Sequence, residues 1–205
     1  MRPWMRLDNA ALIFPAIGNS RWVNTFRLSA DLTETVDPVL LGQAVKDLMP
    51  RFPTVYVRLG RGLFWYYLQA VDKAPDVIPE YAYPLTHMNR REQKRCCFRV
   101  LYHENRIAVE FFHVITDGTG GEIFLKSLVA RYLELRYGVP VETECGIRDH
   151  RDRPTAEERQ DAFQICTGDI PMSRREDTVY HLFGTPDASG FMHVITGIVP
   201  SRFSL

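Results

Sequence analysis

Cysteine is scarce in this chain of 205 residues, and Cys96, Cys97, Cys145 and Cys166 show no C-x-x-C spacing. A disulfide scaffold, a redox motif or a zinc centre is therefore not expected. Net charge is absent as well, with 25 basic against 25 acidic residues. Nothing in that balance calls for nucleic acid or an anionic membrane surface. Long apolar runs are missing: the stretch over residues 10–17 is short and holds Pro15, which fits neither a secretory signal nor a membrane span. A cytoplasmic location and no transmembrane segment are the expectation. Three catalytic loops are lacking too, since no G-x-S-x-G elbow, no Gly-Lys-Ser/Thr phosphate loop and no G-x-G-x-x-G fingerprint occurs. The hydrolase triad and nucleotide-loop chemistries lose their usual carriers.

What remains is an ordinary globular composition, 45% hydrophobic and 24% charged. Residues 7–14 suggest a short helix capped by Asp8 or Asn9 and ended by Pro15 and Gly18. A strand is predicted over residues 25–32. Asp37-Pro38 reads as an N-cap followed by proline at the first helical position, with Val39, Leu40, Ala44, Val45 and Leu48 as the apolar stripe. Two strands, 54–59 and 63–71, are joined by Gly60-Arg61-Gly62, and the second carries the aromatic run Phe64-Trp65-Tyr66-Tyr67, read as core. Residues 72–95, with Pro75, Pro79 and Pro84, read as a long connection. The cluster over residues 90–95 reads as a solvated loop or helix face rather than a phosphate patch.

The most informative stretch is His113-Val114-Ile115-Thr116-Asp117-Gly118. It follows a hairpin of strands 98–103 and 106–112 turning at Glu104-Asn105, whose second strand alternates so that Ile107, Val109, Phe111 and His113 share a face. A helix follows over residues 122–137, with Thr119 and Glu122 at capping-box spacing and a stripe of Phe124, Leu125, Leu128, Val129, Tyr132 and Leu135. His113 is thus the polar end of an apolar row, placed to act as a general base. Asp117 would orient it or pair with a cation to hold the loop. Gly118 would permit a backbone geometry or close approach that a side chain forbids. The plainer alternative is a satisfied core histidine followed by a common Asp-Gly turn. His103 and His193 lack an acid at the needed spacing and read as structural.

The order of elements around H-x-x-x-D-G resembles the N-terminal lobe of the alcohol acetyltransferase family, within the chloramphenicol acetyltransferase-like and condensation-domain superfamily. The resemblance is carried by residues 7–11, residues 63–68, His113 to Gly121 with the helix after it, and Ile195-Thr196-Gly197. It implies an α+β two-layer sandwich, a mixed and mostly antiparallel sheet with helices on one face. It further implies that His113 deprotonates an alcohol or amine acceptor attacking an acyl-CoA or acyl-carrier thioester, with no bound cofactor or metal. Asp117 would hold the loop through an arginine, and Gly118 would leave room for the thioester arm. The family pattern often has two adjacent histidines; here the first is Phe112. By this reading residues 1–138 form the lobe, 139–178 a polar linker or excursion, and 179–205 crossover strands toward a second lobe that is missing. A truncated or split product, or completion by a second lobe or homo-oligomer, is the expectation. The alternative is a non-catalytic module binding an acyl chain, a carrier protein or a partner lobe.

Overall fold

The computed structural model describes residues 4–7, 11–17, 24–63, 65–80 and 83–159. In chain order these form β1 (Trp4–Arg6), α1 (Ile13–Ile17), β2 (Thr25–Asp31), α2 (Pro38–Asp47), β3 (Val57–Arg61), β4 (Tyr66–Ala70), β5 (Val77–Pro79), α3 (Arg90–Gln93), β6 (Phe98–His103), β7 (Arg106–Phe112), α4 (Gly118–Tyr137) and a 3-10 turn at Glu157–Arg159. A four-stranded sheet runs β2-β7-β6-β5, antiparallel except for the β5–β6 pair, and a three-stranded antiparallel sheet runs β1-β4-β3. Helices α2 and α4 pack on each other and on the larger sheet. The fold is α+β, as the sequence indicates. Among the described residues no helix is long and apolar enough to cross a membrane.

Helix α2 starts where Asp37 predicts, its carboxylate accepting from the N–H groups of Val39 and Leu40 at 2.8 and 3.2 Å. Of its expected stripe Ala44, Val45 and Leu48 are fully buried and Leu40 packs on the core, while Leu41 joins them and Val39 is 78% exposed. The reason is geometric: positions 41, 44, 45 and 48 keep the i, i+3, i+4, i+7 spacing, and 39 falls on the opposite side. Helix α4 covers β7 with Phe124, Leu128 and Tyr132, all fully buried. Phe124 meets Tyr56, Phe98 and Phe111 at ring-centroid distances of 5.9, 5.2 and 5.6 Å. Burying each such ring contributes about 1.5–3 kcal/mol, so this aromatic knot fixes the helix on the sheet.

The two sheets meet at Cys97, whose N–H donates to the Val57 carbonyl while its own carbonyl accepts from Phe112, both at 2.8 Å. Cys96 and Cys97 are buried free thiols. Burial pushes the Cys96 thiol up to about 11 and raises that of Cys97 too, so both are inert. Cys166 lies outside the described residues.

Three expectations are corrected. The first helix is Ile13–Ile17, preceded by β1, and Pro15 sits inside it. Proline is tolerated in a first turn, where its missing N–H costs nothing; the caps Asp8 and Asn9 lie outside the described residues. The connection 72–95 contains β5 and the capped turn α3, because β5 gains a parallel edge on β6 that no local periodicity announces. In the aromatic run Trp65 is 57% exposed and Tyr66 only partly buried, since both stand at the hairpin turn, where the Gly62 N–H donates to the Trp65 carbonyl.

Residues 139–159 lie along α4 rather than leaving it. The Arg148 N–H donates to Ser127 Oγ at 2.9 Å, and buried Arg51 pairs with Glu158 at 2.7 Å. The bond from Arg51 holds the Glu158 carboxyl below the usual range, outweighing desolvation. A depressed carboxyl stabilises the native state above its unfolded-state value and loses that stabilisation as pH falls through the lowered native value. Hydrogen exchange should therefore show residues 148–159 equally protected at pH 7 and 5.5 and released near pH 3, ahead of α4. Early release of this segment at pH 5.5 would contradict the assignment. The expected linker or excursion beyond residue 159 and the strands over 179–205, with His193 and Ile195-Thr196-Gly197, lie outside the described residues.

Candidate functional site

His113 leaves the end of β7, and its N–H donates to the Asn24 carbonyl at 2.9 Å, carrying the β2–β7 ladder one residue past the strand. The imidazole lies face to face with Phe14, centroids 4.8 Å apart and planes 8° from parallel, and tilts against Phe26 at 4.9 Å. Asn24 Nδ2 also donates to the Phe14 carbonyl at 2.8 Å, tying α1 to the start of β2. The histidine is thus partly buried in an aromatic slot built from three separate elements. Phe14, read from sequence only as the end of a helix, is the residue that covers it. His103, at the hairpin end, is exposed.

Asp117 is the N-cap of α4, in extended conformation at φ −93° and ψ −174°, with its carboxylate accepting from the Gly120 N–H at 2.8 Å. The expected Thr119–Glu122 capping box is displaced: Thr119 lies inside the helix, and Glu122 pairs with Lys126 at 2.6 Å. Asp117 caps the helix because its side chain reaches the first turn directly, seven residues before the apolar stripe begins at Phe124. Among the described residues no arginine pairs with Asp117 and no hydrogen bond joins it to His113.

The glycines after it differ in kind. A Cβ at Gly118 would meet nothing within 4 Å, whereas one at Gly121 would come within 2.9 Å of the Phe26 ring and 3.2 Å of Leu28. Gly121 is what lets α4 approach β2 closely beside His113. Gly121→Ala should cost about 1–3 kcal/mol by overpacking, less about 1 kcal/mol of helix propensity. Gly118→Ala should be neutral or slightly stabilising. Urea melts of the two variants, differing by less than about 0.5 kcal/mol, would refute this division of roles.

A cavity of about 190 Å³ opens beside the histidine slot, walled by Phe14, Leu59, Tyr66, Met88 and Phe112. Its rim carries Arg61, His87, Arg90 and Lys94. The segment that bears three of these is pinned from beneath by a charge network. Glu110, 1% exposed in β7, accepts from Arg27 at 2.9 Å, from Arg99 Nε at 2.7 Å and from the Leu85 N–H at 2.8 Å. Arg27 and Arg99 are its cross-strand neighbours on β2 and β6, Arg27 also binds Glu80, and Arg99 donates to Thr86. Burial opposes the charge on Arg27, but its bonds to Glu80 and Glu110 prevail and raise its pKa. Leu85 holds a left-handed φ of 59°, which a leucine adopts only when its surroundings impose it. Neither the cavity nor this network was visible in the sequence reading. The one available signal was an acid inside the apolar run 107–112, with arginines at matching depth in two other strands.

No family profile and no curated protein matches the chain. Solved structures do match. The X-domain from teicoplanin biosynthesis, in complex with OxyB, superposes with a TM-score of 0.51 at 17% identity, over 69% of this chain and 35% of that one. The starter condensation domain of rhizomide synthetase RzmA gives 0.52 at 14% identity, over 70% and 40%. The fold is that of a condensation-domain-like lobe. A point variant of the same RzmA domain, in complex with C8-CoA, agrees at a TM-score of 0.51 and 12% identity, over 67% and 37%. At these identities the likeness is one of fold, and the lobe spans 35% to 40% of the length of the chains it matches. Its residues, not its neighbours, carry the argument about chemistry.

Proposed function

We propose that this condensation-like lobe acts in the cytoplasm in acyl transfer from a coenzyme A or carrier-protein thioester to an alcohol or amine, with His113 as general base. The observation that supports it is a histidine at the exit of β7, one residue beyond Phe112 in the cavity wall and just ahead of a helix capped by Asp117. The neutral imidazole would take the acceptor proton as oxygen or nitrogen bonds to the thioester carbonyl carbon. The tetrahedral oxyanion then collapses, the C–S bond breaks, and the thiolate leaves with the proton from the imidazolium. Asp117 serves by fixing the start of α4. Gly118, with open space above it, leaves room for the thioester arm. A second lobe or a second copy of the chain would supply the opposite wall. The test is thiol release from acetyl-CoA and octanoyl-CoA with alcohol and amine acceptors, run on the full chain.

A second reading is a module that binds an acyl chain, carrier protein or partner lobe without turnover. It is favoured by the cover over His113, whose ring has Phe14 on one face and Phe26 on another and no hydrogen-bond partner among the described residues. It is supported by no thiol release under any donor, together with a stable complex with an acyl thioester or partner lobe.

A further inference from the structure

We infer that the 190 Å³ cavity beside His113 recognises a small cyclic carboxylate. Charge selects the ligand. Arg61, Arg90 and Lys94 line the rim, and among the described residues no aspartate or glutamate lines the cavity and none of the three cations forms an ion pair. Among the described residues Arg27, Arg99, Arg106, Arg131 and Arg136 each hold a carboxylate at 2.7 Å or closer, whereas Arg58 bonds only Gln69 and Arg91 and Arg95 form no ion pair, so what sets Arg61, Arg90 and Lys94 apart is that they share one recess. A group of cations left without anions, around an aromatic-lined recess, is the complement of an anionic ligand.

Geometry selects the rest. Arg90 and Lys94 are four residues apart along the α3 turn, so they project to the same side, and the Arg61 guanidinium lies over the Tyr66 ring at 5.8 Å. Phe14, Tyr66 and Phe112 present flat walls, and Met88, 1% exposed, closes the floor. A recess of roughly 150 Å³ suffices for a benzene ring, so 190 Å³ takes one ring with a substituent. The carboxylate stays at the basic rim and the ring enters. Phe14 is shared, since it lines the cavity and also stacks on His113.

The experiment is calorimetric titration of the full chain with para-hydroxybenzoate, with para-hydroxybenzyl alcohol, which has the same ring without the charge, and with coenzyme A. The acid should bind at least about tenfold more tightly than the alcohol, the worth of one charge-assisted bond. That preference should vanish in the triple variant Arg61→Gln, Arg90→Gln, Lys94→Gln, all at exposed positions. Arg91→Gln, on the same turn but outside the cavity, should leave it unchanged. His113→Phe should bind the acid normally whether or not the chain turns over, which separates this inference from the catalytic one. Equal affinity for acid and alcohol, or a preference that survives the triple variant, overturns the inference. So does tight coenzyme A binding that the triple variant abolishes while the acid fails to bind, since the rim would then serve the donor phosphates.

Discussion

With His113 replaced by phenylalanine, thiol release is expected to fall by about 10²–10⁴-fold, the contribution of a positioned general base. Phenylalanine is the informative choice because His113 is held by rings. Alanine would remove the stacks on Phe14 and Phe26 as well as the base, and each aromatic pair contributes about 0.5–1.5 kcal/mol. Loss of activity in His113→Ala could then be blamed on a loosened slot. His113→Phe keeps a ring at the same place and deletes the two nitrogens, so its urea midpoint should stay near that of the unmodified chain while turnover disappears. Retained turnover in His113→Phe removes the imidazole from the mechanism. The KM for the acyl donor should be unchanged, since a group acting only on the acceptor proton binds nothing of the ground-state thioester.

That slot illustrates what a sequence can disclose about this chain. The strand leading to His113 and the helix following it were legible because each carries its own period: Ile107, Val109 and Phe111 alternate, and Phe124, Leu128 and Tyr132 recur on one helical face. Asp37-Pro38 was equally plain, since a cap and a first-turn proline act locally. What failed to show was whatever depends on a distant partner. Phe14 faces the histidine only because Asn24 fastens α1 to β2. Strand β5 exists because β6 offers it an edge. The basic run after Asn89 reads as a solvated face, and Arg90, Arg91, Lys94 and Arg95 are all exposed; only the fold brings Arg90 and Lys94 to the cavity that Arg61 shares from a hairpin some thirty residues earlier. Fold-level pattern is local in origin, and the candidate site is not.

Replacing Glu110 by alanine should lower the stability of the chain by about 3–5 kcal/mol, a large share of the roughly 5–15 kcal/mol that a domain commands. The carboxylate is surrounded by Arg27, Arg99 and the Leu85 N–H, and each guanidinium is 13% exposed. Removing it leaves two nearly buried cations facing one another across β7, with Arg27 falling back on Glu80 and Arg99 on Glu92 at 3.3 Å. The damage comes from orphaned charge rather than from a lost attraction, and this makes a distinctive pattern of variants. Glu110→Gln preserves the shape and one acceptor and should fall between the two. Arg27→Met, Arg99→Met and Glu110→Leu together remove the three charges of the triad but leave Glu80 without Arg27, and should recover part of the loss seen in Glu110→Ala. The network also has a task beyond stability. Glu110 holds Leu85 in its left-handed turn, and Arg99 holds Thr86, so the pair fixes the segment from which His87, Met88 and Arg90 reach the cavity. The apolar triple variant should therefore be more stable than Glu110→Ala yet bind para-hydroxybenzoate poorly, because Leu85 has lost the acceptor that imposes its turn. Urea melts at constant m-value give the first quantity and calorimetry the second. A Glu110→Ala chain within about 1 kcal/mol of the unmodified one would show that water reaches the triad and that the segment stands without it.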